Sequence, residues 1–120
     1  FDCHFSPDFT GDEFRNIGLF DQHQFVDRGR FDVTRDSADL GKFKVPGLRN
    51  VAITPPYMHN GMFATLEEVI EYYDNPFKFV PKPINADTLL QKPLGLTSQE
   101  KSDLVAFLHA LTDLRFVKDK

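Results

Sequence analysis

Residues 44–76 read KVPGLRNVAITPPYMHNGMFATLEEVIEYYDNP, a proline-punctuated loop that runs directly into an amphipathic helix. Thr65 and Glu68 have the spacing of a capping box, in which each side chain satisfies a backbone N–H left open by the first helical turn. Leu66, Val69, Ile70 and Tyr73 recur at i, i+3, i+4 and i+7 and make one apolar stripe, with Tyr72 turned about 100° away from it. Asn75–Pro76 ends the helix, because the proline ring disfavours the helical conformation of the residue before it.

Outward from this stretch, the pattern repeats once. Residues 96–113, LTSQEKSDLVAFLHALTD, open on a second capping box, Thr97 with Glu100. Leu104, Phe107, Leu108 and Leu111 are the predicted buried stripe. Between the helices, PFKFVPKPINADTLLQKPLG (76–95) carries four prolines and is irregular. Upstream, residues 1–48 contain scattered glycines and charges with no helical period, and only GRFDVTRD (29–36) has the alternation of a short strand. So long a loop in a compact domain implies that something other than protein organises it. The expectation is a single loop-rich, all-α domain over residues 1–120, without repeats.

Composition narrows the partners. Thirteen Phe and no Trp give an aromatic-rich core, equally able to pack on itself or to line a flat apolar cofactor. A net charge of −4, with Lys and Arg dispersed along the chain, argues against nucleic acid. No apolar run approaches the roughly twenty residues that a membrane span requires. A lone cysteine excludes an internal disulfide.

That cysteine, Cys3, stands directly before His4 in the opening FDCHF. The pair reads either as a buried thiol beside a surface imidazole or as the end of C-x-x-C-H, the attachment motif of a c-type haem. In the second reading a cysteine precedes Phe1, and Phe1 and Asp2 are the two spacer residues.

Cys3-His4, DRGRFDVT (27–34), KVPGLRNVAITPPYMHNG (44–61) and DLVAFLHALTD (103–113) follow one another in an order that resembles the C-terminal half of the bacterial dihaem cytochrome c peroxidase family, which includes the MauG-like enzymes. The resemblance implies a cytochrome c-like fold with haem c, its thioether on Cys3 and its proximal nitrogen from His4. It implies an N-terminal haem domain in the same protein, where hydrogen peroxide is reduced, so no catalytic residue is expected in this chain. A small electron-donor protein and a periplasmic location follow from the same resemblance, and a homodimer is compatible with it.

For the iron's second axial position the resemblance points to Tyr73, where peroxidases carry methionine and MauG-like enzymes tyrosine. Met58 is the alternative, and Met62, His59, His23 and Tyr72 are the other candidates. A thioether raises the haem potential, whereas a phenolate favours ferric and higher states. The resemblance places His59 near the haem edge and suggests that Arg30 and Arg49 pair with propionates. It also implies calcium bound through the backbone carbonyls of Thr54 and Pro56, a donor type suited to a hard cation. Met62 reads as core or rim, and His23 and His109 as solvated. The rival readings are a MauG-like enzyme oxidising a protein side chain, a monohaem electron carrier, and a haem-free structural domain.

Overall fold

The computed structural model describes residues 3–116, so Phe1 and Asp2, the predicted spacer residues, lie outside the described part. Three α-helices are present among the described residues: α1 (Phe31–Thr34), α2 (Leu66–Asp74) and α3 (Ser98–Ala110). One short antiparallel ladder pairs β1 (Phe14–Arg15) with β2 (Phe43–Lys44) in the register Phe14 to Lys44. Single 3-10 turns and loops supply the rest. The chain is thus small, helix-containing and poor in strand.

It divides into two compact units, each assembled from separated stretches. The first comprises Phe1–Gly11, Pro46–Glu71 and Leu96–Lys120, and the second Asp12–Val45 and Tyr72–Gly95.

The core of the first unit is Phe63, Leu66 and Ile70, all buried. Both predicted caps form. Glu100 N donates to Thr97 Oγ1 at 3.1 Å and Thr97 N to Glu100 Oε1 at 3.4 Å, a complete box. At α2, Glu68 N donates to Thr65 Oγ1 at 3.2 Å, but the Glu68 carboxylate reaches back to Ala64 N instead of Thr65 N. Lys101 Nζ lies 2.8 Å from Glu71 Oε1 and ties α3 to α2. The predicted stripe of α3 is not buried: Leu104 and Phe107 are exposed, and Leu108 and Leu111 are half-buried. Among the described residues the helix packs on the Val51–Ile53 turn and meets the edge of Phe9, and these contacts leave Leu104 and Phe107 exposed.

In the second unit Leu19, Phe20, Val45, Tyr72 and Val80 surround one buried polar residue, Asn16. Its Nδ2 donates to Leu40 O at 3.1 Å and Ile84 O at 2.8 Å, while its Oδ1 accepts from Gly18 N at 2.8 Å. Three loops distant in sequence therefore converge on one amide. Gly41, at φ +76°, passes so close that a Cβ would sit 2.6 Å from Asn16 Nδ2. Arg15 adds a surface clasp, 2.8 Å from Glu13 and 2.7 Å from Asp87. The segment expected as a strand, 29–36, forms helix α1 instead. Val33 is 86% exposed, so no sheet buries the alternating face, and the Arg28–Asp32 ion pair at 2.7 Å favours a helical turn.

Candidate functional site

Within the first unit, residues 3–11 form a closed loop. Phe5 N donates to Thr10 O at 3.2 Å, and Gly11 approaches Cys3 so closely that a Cβ would lie 2.5 Å from its carbonyl oxygen. Phe9, in the left-handed region at φ +55°, turns its carbonyl toward the His4 ring at 2.8 Å from Nδ1. A carbonyl only accepts, so Nδ1 carries a proton, and in the neutral ring Nε2 then keeps its lone pair. This is the tautomer a metal-binding imidazole needs, and the Phe9 carbonyl fixes the orientation of the ring. Cys3 is half-buried beside it. The donor set fits a haem: one imidazole presenting Nε2 and one thiol next to it in sequence.

The PPYMHNG loop lies in the same unit. Tyr57 N donates to Phe63 O at 2.7 Å, and Tyr57 Oη donates to Val51 O at 2.9 Å. This bridge presents the turn Met58-His59-Asn60-Gly61, closed by Gly61 N to Met58 O at 3.2 Å. Met58 is half-buried at φ +68°, a conformation a side chain adopts only when its surroundings enforce it. His59 is exposed and Met62 half-buried. Thr54 and Pro56 stand on an exposed stretch. Two neutral carbonyls fall well short of the six to eight oxygens calcium takes. No group of three or more His, Cys, Asp or Glu among the described residues could hold a metal ion. Thr54 and Pro56 alone therefore do not fit a calcium site.

Arg49 is committed within the protein, its Nη2 donating to Pro7 O at 2.7 Å and its Nε lying 3.7 Å from Asp8 Oδ1. Arg30, in the second unit, stacks over Phe14 at 4.0 Å and faces Asp39 at 3.5 Å. Tyr73 is also in the second unit, half-buried at the end of α2. Its ring meets Tyr72 edge-on, centroids 5.6 Å apart. Helical phase puts Tyr73 on the buried stripe, but Tyr72 is fully buried and Tyr73 is not. Tyr72 Oη donates to Ile17 O, so a partner upstream in the chain overrides simple helical phase. Burial, then the neighbouring Tyr73, pushes the Tyr72 phenol far above its ordinary range. His23 and His109 are exposed, as expected of solvated imidazoles. Two surface depressions, one in each unit, include none of Cys3, His4, Met58 or Tyr73. Sequence reasoning missed Phe9, whose carbonyl orients His4, because a backbone acceptor leaves no residue-type signal.

Comparison with known proteins fits this picture. No family model matches the chain. It is 47% identical over 91 residues to the cytochrome-c peroxidase IdrP1 of Denitromonas iodatirespirans, covering 76% of this chain and 23% of that protein. Its structure superposes on a MauG-like protein associated with microbial copper homeostasis at a TM-score of 0.69 and 44% identity, over 84% of this chain and 33% of the other. On the diheme peroxidase BthA of Burkholderia thailandensis the TM-score is 0.74 at 26% identity, over 97% of this chain and 39% of the other. Fold and residues together define a haem-protein domain. The chain belongs to the bacterial dihaem cytochrome c peroxidase and MauG-like family, of whose members it matches a portion. It spans about a quarter of the length of the first curated relatives it matches, 23% and 22%.

Proposed function

We propose that residues 1–120 are the C-terminal, cytochrome c-like, electron-transferring haem domain of a periplasmic dihaem peroxidase that reduces hydrogen peroxide. The observation carrying this reading is the His4 imidazole, held by Phe9 O so that Nε2 is the metal-binding nitrogen, directly after Cys3. Cys3 would anchor a haem c by a thioether and His4 would supply its proximal nitrogen. When bound, the haem supplies one-electron redox chemistry that no side chain of this chain provides. Tyr73 is the favoured second ligand and Met58 the alternative. The peroxide-reducing site belongs to an N-terminal haem domain of the same protein, fed by a small donor protein. Calcium held partly by Thr54 and Pro56, and a homodimer, belong to the same proposal. A reduced-minus-oxidised spectrum of the full-length protein tests it: c-type bands are expected from both haems, and their absence would refute the assignment.

A second reading, MauG-like oxidation of a protein side chain, is favoured by Tyr73 itself and by the 44% identity to a MauG-like structure. Tyr73→Phe in the full-length protein separates ligands. Loss of the low-spin six-coordinate ferric signature supports tyrosine, and an unchanged spectrum returns the position to Met58.

A further inference from the structure

We infer that Arg49 is a positioning residue for the iron-binding imidazole: it clamps the 3–11 loop so that Phe9 O stays on His4 Nδ1. The inference rests on the reading of His4 as haem ligand.

Four contacts carry it, all within the first unit. His4 Nδ1 is bound at 2.8 Å by the carbonyl of Phe9, whose backbone sits at φ +55°. A non-glycine residue holds that conformation only where neighbours over-determine it. Two anchors do so from opposite ends of the loop tip. Arg49 Nη2 donates to the Pro7 carbonyl at 2.7 Å, two residues before Phe9, with Asp8 Oδ1 3.7 Å from its Nε. The Phe9 ring meets the Phe107 ring of α3 edge-on, centroids 5.8 Å apart. The Pro7 hydrogen bond is the main contact, and the arginine's planar guanidinium sets Nη2 on that carbonyl with a reach and direction that a lysine's point charge does not reproduce.

The consequence for redox chemistry has a definite sign. A strong Nδ1–H···O=C bond makes the imidazole a better electron donor and stabilises ferric iron. Loosening the clamp weakens that bond, so the potential of the ligated haem rises. An arginine acting instead as the counter-ion of a propionate gives the opposite sign, because deleting a nearby positive charge stabilises ferric iron and lowers the potential.

The test is spectroelectrochemical titration of the haem-loaded full-length protein, with thermal melting as a check on folding. Arg49→Gln should raise the potential of the His4 haem, and His4 should be displaced by added imidazole at about tenfold lower concentration. Phe107→Leu, which changes no charge, should move both readouts in the same direction. Arg49→Lys should fall with Gln, not with the parent. Asp8→Asn keeps the Pro7 hydrogen bond and should shift the potential little. A lowered potential in Arg49→Gln, full rescue by lysine, or an Asp8→Asn shift as large as that of Arg49→Gln overturns the clamp. His4→Gly is the control for the underlying reading: if its haem spectrum matches the parent, His4 is not the ligand and the functional assignment fails with it.

Discussion

The two units solve the problem of a loop-rich fold in different ways. The second closes its loops on an internal polar hub, with Asn16 satisfied three times inside a shell of Leu19, Phe20, Tyr72 and Val80. Among its described residues the first buries the hydrophobic side chains Phe63, Leu66 and Ile70 and leaves Phe5, Ile53, Leu104 and Phe107 each about two-fifths exposed. An internally satisfied amide specifies structure by itself, since each lost partner is an unmet buried group. Half-exposed aromatic and aliphatic side chains leave the first unit's apolar surface uncovered by the described residues, and on the proposed reading an apolar macrocycle covers part of it. The difference teaches that one chain of 120 residues holds a unit closed by its own polar hub and another with apolar surface left open.

The sharpest way to break the contrast is Asn16→Ala. It strands Ile84 O and Gly18 N in the interior, while Leu40 O keeps its bond from Asn85 Nδ2 at 3.0 Å. At about 1–3 kcal/mol per buried unmet group, the expected loss is roughly 3 kcal/mol in urea denaturation. A loss below about 1 kcal/mol would remove the hub from the argument.

The adjacent tyrosines give the next effect. Tyr72→Phe removes the hydroxyl that donates to Ile17 O and should cost about 1.5 kcal/mol. Tyr73→Phe should cost well under that, because Tyr73 is only half-buried, and its effect should fall on the haem spectrum. Equal stability losses from the two would mean that Tyr73 is a core residue in the same sense as Tyr72.

In the first unit, Phe107→Ala in the haem-free chain should cost about 1 kcal/mol, against the 3–5 typical of a buried Phe, since its ring is 41% exposed. Reconstitution with haem should enlarge that cost, and haem removal should accelerate amide exchange in the first unit more than in the second. Uniform exchange across both units would erase the distinction drawn between them.

These expectations mark how far the sequence could be read. Both long helices were legible, because Thr-x-x-Glu spacing and apolar periodicity are local signals, but the box is complete only at α3 and the α3 stripe is not buried. The proline-rich 76–95 stretch was legible as irregular for the same reason. What escaped depends on distant partners. Asn16 looks like any loop amide until Leu40 and Ile84 arrive beside it. Tyr72 outranks Tyr73 in burial where Ile17 O meets its hydroxyl and Phe79 its ring, both outside the helix. At 29–36, alternating Phe31 and Val33 suggested a strand, but Val33 stays exposed and Phe31–Thr34 turn helical. At the candidate site, Cys3 and His4 were named from residue type, but the Phe9 carbonyl and the Arg49 clamp are backbone contacts that no motif encodes.

The smallest effect concerns pH and belongs to the second unit. Burial pushes the Asp87 carboxyl up, but hydrogen bonds from Leu89 N and Arg15 and the charge of Arg15 outweigh it and hold the pKa below the ordinary carboxylate value. A depressed folded-state pKa stabilises the fold above the unfolded value of about 4, and that contribution is lost as pH falls through the lower folded value. Stability measured from pH 6 downward should therefore decline below about pH 4, and Asp87→Asn should flatten part of that decline while lowering stability at neutral pH. Arg15→Gln should act in the same direction, because the 2.7 Å contact between Arg15 Nη1 and Asp87 Oδ2 is one source of the shift. If the acid limb of Asp87→Asn overlays that of the parent, the clasp contributes nothing and the second unit's self-sufficiency rests on Asn16 and its apolar shell alone.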